Sequence, residues 1–437
     1  MRASALLAAL GLLALSLTAT AADMPKIEHW TLENGVKVYF VRTTELPLVH
    51  LRAVFDAAAS RDPETRPGVA RLTAAMLRQG AAGLGADEIA TGFESLGAEF
   101  GANAERDMAI AELRSLSEPK LLDPALDLYA KVVARPTFPE EAFERERART
   151  LVGLQHDLQS PAAIVSKTFM RRVYGEHPYA HDPAGTPESV KAITRADLAA
   201  HHARYYTGEN AWLAIVGDAT LEQAKHIAER ALGSLPRGKR APPLPAVPPL
   251  AKGGRELIPF PSQQSHIRVG QPAIRRDSPD YFPLLVANYT LGGGGLVSRL
   301  STEIREKRGY AYSVYSYFQA MRAQGPFVVG LQTRNAQRED ALEVVRQVLE
   351  EYQARGPTAE ELEAAKRHLT GSFPLQLDSN SDIAGMLAYM AFYGLPLDYL
   401  ETYPERVRAV TAEQAQAALK RHLNLDKLVT VVVGGSD

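Results

Sequence analysis

The chain of 437 residues contains no cysteine. That absence excludes disulfide scaffolds, thiolate zinc centres, iron–sulfur clusters and a cysteine nucleophile. An excess of one charge is missing too: 49 Lys and Arg stand against 51 Asp and Glu, a formal net of -2. No strong electrostatic case therefore exists for nucleic acid or an anionic membrane as the main partner. Beyond the first residues no stretch is long and apolar enough to cross a membrane. What is present is ordinary for a globular chain with a large core: 46% hydrophobic and 23% charged residues, far from the composition of a disordered segment. The length allows about three average domains, and any chemistry must rest on His, Asp, Glu, Ser or Lys.

The N-terminus carries one basic residue, Arg2, an apolar run from Ala5 to Leu17, and small residues at Ala19 and Ala21. The run is too short to span a bilayer comfortably, and the pattern is that of a cleavable signal peptide over residues 1–22. No cysteine follows it, which excludes a lipoprotein anchor. Export to the periplasm is the expectation, and a cysteine-free chain suits an oxidising compartment.

One break divides the rest. Residues 235–256, LPRGKRAPPLPAVPPLAKGGRE, hold six prolines between Pro236 and Pro249. Such a segment resists regular structure and reads as a semi-rigid linker. The parts on either side, 23–234 and 257–437, resemble each other. VKAITRADLAAHHARYYTGENAWLAIVGDA, from Val190, is matched by VRAVTAEQAQAALKRHLNLDKLVTVVVGGS, from Val407. Each reads as a helix capped by Thr194 or Thr411, then a β-branched strand ending at Gly217 or Gly434. Upstream, LDPALDLYAKVV with PEEAFERERARTL and REDALEVVRQVL with AEELEAAKRHL repeat a helix–break–helix pattern at a similar spacing. KVYFVR and HLRAVF, separated by a turn at Pro47, predict a strand pair in the first half, and YSVYSYF with PFVVGLQT one in the second. The expected class is α+β: two homologous domains, each a mostly antiparallel sheet covered by helices.

Two segments then carry a family resemblance. GVARLTAAMLRQGAAGLGADEIATGFESLGAEFGANAERD, Gly68 to Asp107, resembles the active-site region of the pitrilysin or insulinase-type zinc peptidases, the family of the mitochondrial processing peptidase. LGGGGLVSRLSTEIREKRGYAYSVYSYF, Leu291 to Phe318, resembles their C-terminal signature. The resemblance implies a clam-shell half built from two such domains. Active members carry H-x-x-E-H on a helix: two His at i and i+4 hold zinc, the Glu activates its water, and a second helix adds a Glu ligand. Here Arg71, Ala74 and Ala75 stand at those three positions, and Val152 falls where the fourth is expected. Alanine has no donor atom and arginine keeps its proton. The resemblance therefore implies no zinc in this chain and no peptidase activity of its own. Arg71, Ala74, Ala75 and Arg78 are expected on one helical face, apart from Val69, Leu72, Met76 and Gln79.

The C-terminal signature is intact. In the family an Arg and a Tyr from the second domain reach the substrate backbone; Arg305 and Tyr312 have that spacing here, with Arg308 as the rival and an ion pair of Arg305 with Glu303 or Glu306 as the bland alternative. Gly292, Gly293, Gly294 and Gly295 read as a flexible break between helices, and the resemblance adds a weak link to substrate handling. His177 and His181 are separated by Pro178, and His156, His201 and His202 lack partners at useful spacing, so no second metal site is expected. The implied role is the non-catalytic subunit of a heterodimer: a zinc-bearing sister chain, peptide substrates, and Arg305 and Tyr312 lent to the partner's active site. The alternative is a non-enzymatic peptide-binding or holdase protein, homodimeric in form.

Overall fold

Strand β8 (Ala211–Gly217, AWLAIVG) is buried at every position, as expected for a central strand covered on both faces. In the computed structural model, which describes residues 25–435, it sits inside a six-stranded sheet. The expected signal segment 1–22 lies outside the described residues. The other members are β1 (Glu28–Thr31), β2 (Lys37–Arg42), β3 (Leu48–Phe55), β6 (Glu99–Ala104) and β7 (Ala109–Leu116). The order is β1-β2-β8-β3-β7-β6, and a small hairpin of β4 (Gly80–Ala81) and β5 (Leu84–Gly85) stands apart. The second sheet contains β9 (Gly254–Ile258), β10 (Gln264–Ile274), β11 (Ala311–Phe318), β12 (Gly325–Arg334) and β13 (Val429–Val433), in the order β11-β12-β10-β13-β9.

The two orders are the same pattern. β2-β8-β3-β7-β6 maps onto β9-β13-β10-β12-β11, including the one parallel pair in each, β2 with β8 and β9 with β13. The duplication reaches single atoms. Gly217 and Gly434 end their central strands at φ 152° and 146°. A side chain at Gly217 would meet the Leu48 carbonyl oxygen at 2.2 Å, and one at Gly434 the Gln264 oxygen at 2.4 Å, the same contact in both halves. The predicted caps are also in place: Thr194 and Thr411 accept from the backbone of Asp197 and Gln414 at 3.3 and 3.2 Å.

One expected pairing is wrong. β2 and β3 do not form a hairpin; β8 lies between them, parallel to β2 (Lys37 opposite Trp212) and antiparallel to β3 (Val49 opposite Gly217). The Pro47 turn therefore steps across one strand. The second expected pair holds, with Phe318 opposite Phe327 in β11 and β12.

In the first half the helices are α1 (Val69–Met76), α2 (Ala86–Ser95), α3 (Pro119–Ala134), α4 (Glu140–Asp157), α5 (Pro161–Tyr174), α6 (Pro187–Ala192), α7 (Arg195–Tyr205) and α8 (Leu221–Leu232). In the second they are α9 (Tyr281–Asn288), α10 (Arg338–Arg355), α11 (Ala359–Ser372), α12 (Asn380–Tyr393), α13 (Tyr399–Arg408) and α14 (Ala412–His422). Most cover their own sheet, but α5 and α12 are exchanged. Val165, Phe169 and Val173 of α5 pack on Val429, Val431 and Val433 of β13. Ile383, Leu387 and Ala391 of α12 pack on Trp212, Ala214 and Val216 of β8. The period of two decides this: Leu213 and Ile215 of β8 face the first half's own core, leaving the alternate residues for the lent helix. Such alternating faces explain why β8 reads as an unbroken apolar run and why only Thr430 interrupts the valines of β13.

The proline-rich stretch has no helix or strand up to Gly253; β9 begins at Gly254, inside the range 235–256 expected to be linker. The stretch is fastened along its length. Ala241 N–H donates to Asn210 Oδ1 at 2.9 Å, and His177 Nε2 meets the Pro245 carbonyl at 3.1 Å. Charge locks the halves together: Asp56 takes Arg61 at 2.6 Å and Arg322, from the other half, at 2.7 Å.

Candidate functional site

Gly68, just before helix α1, has a φ of 105° that turns the chain into the first turn. Asp62 caps that turn from outside: its carboxylate accepts the backbone N–H groups of Gly68 and Ala70, both at 2.7 Å. Burial pushes the Asp62 carboxyl up to about 7, against the pull of those two donors. Val69, Ala70, Leu72, Thr73, Ala74 and Met76 point inward. Arg71 and Arg78 are exposed and Ala75 is half-buried. Ala74 thus corrects the expected face. It is 1% exposed and packs into the first half's core, not beside Arg71 and Ala75.

Arg71, Ala75 and Arg78 border a cleft of about 560 Å³. Its opposite wall is α4, through Glu146, Arg149, Thr150 and Gly153, and its floor includes Gly101 and Ala102 of β6. Val152, expected to mark the lost ligand, is 67% exposed and borders none of this. Gly153 and Thr150 face the cleft instead. The signal that finds them is helical spacing from Glu146, at i+4 and i+7. A one-residue error on a helix turns a side chain by roughly 100°, enough to miss the site.

The donors here do not fit a zinc ion. Arg71 supplies a fixed positive charge, Ala75 and Gly153 supply no donor, and the Thr150 hydroxyl donates to the Glu146 carbonyl at 2.8 Å. The carboxylate of Glu146, buried at 9% exposure, accepts from Gln79 Nε2 at 3.2 Å and has Arg149 at 3.9 Å. The cleft is left with three arginines against the acids Glu146 and Asp157, and Asp157 is held by Lys167 at 2.8 Å. Among the described residues no group of three His, Asp or Glu side chains converges as a metal site. The histidines serve the fold: His201 and His202 bind the carbonyls of Ala57 and Val133 at 2.9 and 2.8 Å, and His177 receives the Tyr179 N–H at 3.1 Å.

In the second half Arg305 lies on a π-helical turn, Ser301–Glu306, and Tyr312 on β11, the outer strand of its sheet. The structure brings them together: the Arg305 guanidinium carbon is 5.0 Å from the Tyr312 ring centre. Tyr312 is 86% exposed. The rival Arg308 is engaged with Glu303 at 2.6 Å, as is Lys307 at 2.6 Å. Glu303 is thereby used up, and Arg305 has no carboxylate within 4.0 Å among the described residues. Neither bland ion pair forms.

The glycine run is not a flexible break. Gly292 and Gly293 close a π-helical turn, Tyr289–Gly293, continuous with α9. Side chains there would strike Ser316 Oγ at 2.4 Å and Asn288 Nδ2 at 2.5 Å, and one at Gly294 the Tyr289 carbonyl at 2.7 Å. Gly292 permits close packing against β11, and Gly293 and Gly294 close approach to Asn288 and Tyr289 of the preceding turn. Gly295 alone stands in open space, at φ 62°, beside the exposed Leu296 and Val297.

Comparison with known proteins agrees with this geometry. The family described as Insulinase (Peptidase family M16) matches residues 38–186, and Peptidase M16 inactive domain matches 192–369. A crystal structure of a peptidase M16 inactive domain from Pseudomonas fluorescens is 44% identical, with a TM-score of 0.90 over 94% of this chain and 98% of that one. An uncharacterized zinc protease of Mycobacterium leprae is 30% identical over 90% of this chain and 88% of its own. The non-peptidase homolog YmxG of Helicobacter pylori is 26% identical over 91% of both. With donors missing where zinc chemistry needs them, the chain belongs to peptidase family M16 as a catalytically inactive homologue.

Proposed function

We propose that this chain is the non-catalytic subunit of a heterodimeric peptidase. It binds no zinc, encloses peptide together with a zinc-bearing sister chain, and lends Arg305 and Tyr312 to the partner's active site. The observation that carries this reading is the Arg305–Tyr312 pair. Beyond facing each other at 5.0 Å, the guanidinium and the 86% exposed phenol make no side-chain hydrogen bond or ion pair among the described residues. Both donate hydrogen bonds suited to a peptide carbonyl and to the oxyanion formed from it. The inactive cleft contributes a surface. β6 is an edge strand, its outer backbone groups are open to an added strand, and Arg71 and Arg78 stand beside it. The N-terminal pattern supports a periplasmic location for this chain, and the balanced charge offers no support for a nucleic-acid role.

The test is co-expression with a sister chain carrying H-x-x-E-H, followed by a peptide-cleavage assay. Cleavage by the pair, absent with either chain alone and reduced by Arg305→Ala, supports the reading. A homodimer that binds peptides, with no activity in any pairing, supports the non-enzymatic holdase instead.

A further inference from the structure

Away from the α1–α4 cleft and from Arg305, positive charge gathers where the first sheet, the proline-rich linker and the second half meet. A concavity of about 590 Å³ is bordered there by Lys37, Arg240, Arg275, Arg276 and Arg322, with Asp277 as its acid. Arg275 holds Asp277 at 2.8 Å. Arg322 is matched by Asp56 at 2.7 Å, although that carboxylate already carries Arg61. Lys37 and Arg240 have no carboxylate within 4.0 Å among the described residues.

Arg276 is the anomaly. It is 4% exposed, and among the described residues it too lacks a carboxylate within 4.0 Å. Its Nε and one Nη donate to the Tyr389 and Tyr399 hydroxyls at 2.7 and 2.8 Å, and the Tyr281 ring lies 3.7 Å from the guanidinium carbon. Its other Nη has no protein acceptor among the described residues. The buried Asp107 does not supply the counter-charge. Its oxygens accept from Tyr179, Tyr393 and the backbone of Arg322 at 2.7, 3.1 and 3.0 Å. A buried charge held by neutral hydroxyls and rings is incompletely compensated, and here it borders a cavity with further unpaired cations.

We propose that this junction cleft binds a small multivalent oxyanion, a phosphate ester or a di- or tricarboxylate, countered by Arg276, Lys37 and Arg240. Guanidinium groups suit such oxygens because they present paired N–H donors. The cleft is separate from the α1–α4 wall and from Arg305, so the site stands independently of the peptidase reading. Its walls come from β2 and β8, the linker, and the turns and α12 end of the second half. A bound anion ties these three parts and restrains the junction.

The experiment uses the full chain, with calorimetric titration and thermal unfolding in pyrophosphate or citrate at fixed ionic strength. The expected result is saturable binding at one site, with a rise in Tm. Affinity falls roughly tenfold or more in Lys37→Ala and Arg240→Ala, as loss of a charge-assisted bond implies. It is unchanged in Arg71→Ala. Tighter pyrophosphate assigns a phosphate ester, tighter citrate a carboxylate. No saturable binding of either probe at roughly millimolar concentration, or undiminished binding in the double variant Lys37→Ala, Arg240→Ala, overturns the proposal.

Discussion

The guanidinium of Arg305 faces the ring of Tyr312 at 5.0 Å, while its neighbour Arg308 is tied to Glu303 at 2.6 Å. Two arginines on one turn are thus sorted, one to hold the structure and one left available. Because Tyr312 is 86% exposed, Tyr312→Phe is expected to leave stability within about 0.5 kcal/mol. In the reconstituted pair, Arg305→Ala is expected to lower kcat by roughly a hundredfold or more, the scale of losing one oxyanion donor. Denaturant unfolding and peptide-cleavage kinetics check the two halves of this expectation; full activity of both variants removes the catalytic role.

The position of Gly153 gives a metal test. Arg71→His with Ala75→His supplies two imidazoles, and a third donor must come from α4. Gly153 has open space around an added side chain and borders the cleft. Adding Gly153→Glu is expected to tighten zinc binding by at least roughly tenfold, whereas adding Val152→Glu leaves it unchanged. Competition against a chromophoric chelator reads the difference, and equal affinity in the two triple variants refutes the orientation of α4.

Ala74 makes a separate stability prediction. At 1% exposure within the core, an ionised Glu there lacks a partner. Ala74→Glu is expected to cost about 3 kcal/mol or more, measured as a shift in the urea midpoint. An unshifted midpoint means that this side of α1 opens readily.

The helix exchange predicts one unfolding transition. Leu387 is fully buried on the sheet of the other half, so Leu387→Ala is expected to cost about 2–5 kcal/mol and to destabilise both halves together. Probes placed in each half should melt at one midpoint. Two separate transitions would show that α5 and α12 do not couple the sheets.

Two buried groups give opposite pH dependence. Burial pulls His201 down to about 4, although its bond to the Ala57 carbonyl opposes this. Its folded pKa lies below the ordinary 6.5, so its contribution is present above that value and lost as pH falls through about 4. Asp62 is raised from 3.8 to about 7, so its contribution is present below 3.8 and lost as pH rises through 7. Each acts with a slope of at most about 1.4 kcal/mol per pH unit. Subtracting the stability profiles of His201→Gln and Asp62→Asn from that of the unchanged chain should give slopes of opposite sign. Parallel profiles in either variant contradict the assignment for that residue.

Much of this protein was legible in one dimension. The duplication shows in two cap-to-glycine segments because capping and strand termination are local chemistry, and local chemistry repeats when a sequence repeats. The hairpin expected between KVYFVR and HLRAVF failed for the opposite reason. Two adjacent strands can pair with each other or admit a third, and β8 comes from more than 150 residues further along the chain. The glycine run misled because glycine serves both open loops and close approach, and only the neighbouring Ser316 and Asn288 tell the two apart.

By itself the sequence determined the chemistry that is missing, since arginine and alanine cannot ligate zinc in any fold that presents them. It also determined that two like halves exist. The tertiary structure decided which residues face one another. It turned Ala74 inward and Val152 outward, set Gly153 and Thr150 across from Ala75, and placed Arg305 over Tyr312. It exchanged α5 and α12 between the halves and left Arg276 buried without a carboxylate. Helical spacing from Glu146 marks Thr150 and Gly153, but the other outcomes depend on contacts between residues far apart in the chain, which no local pattern encodes.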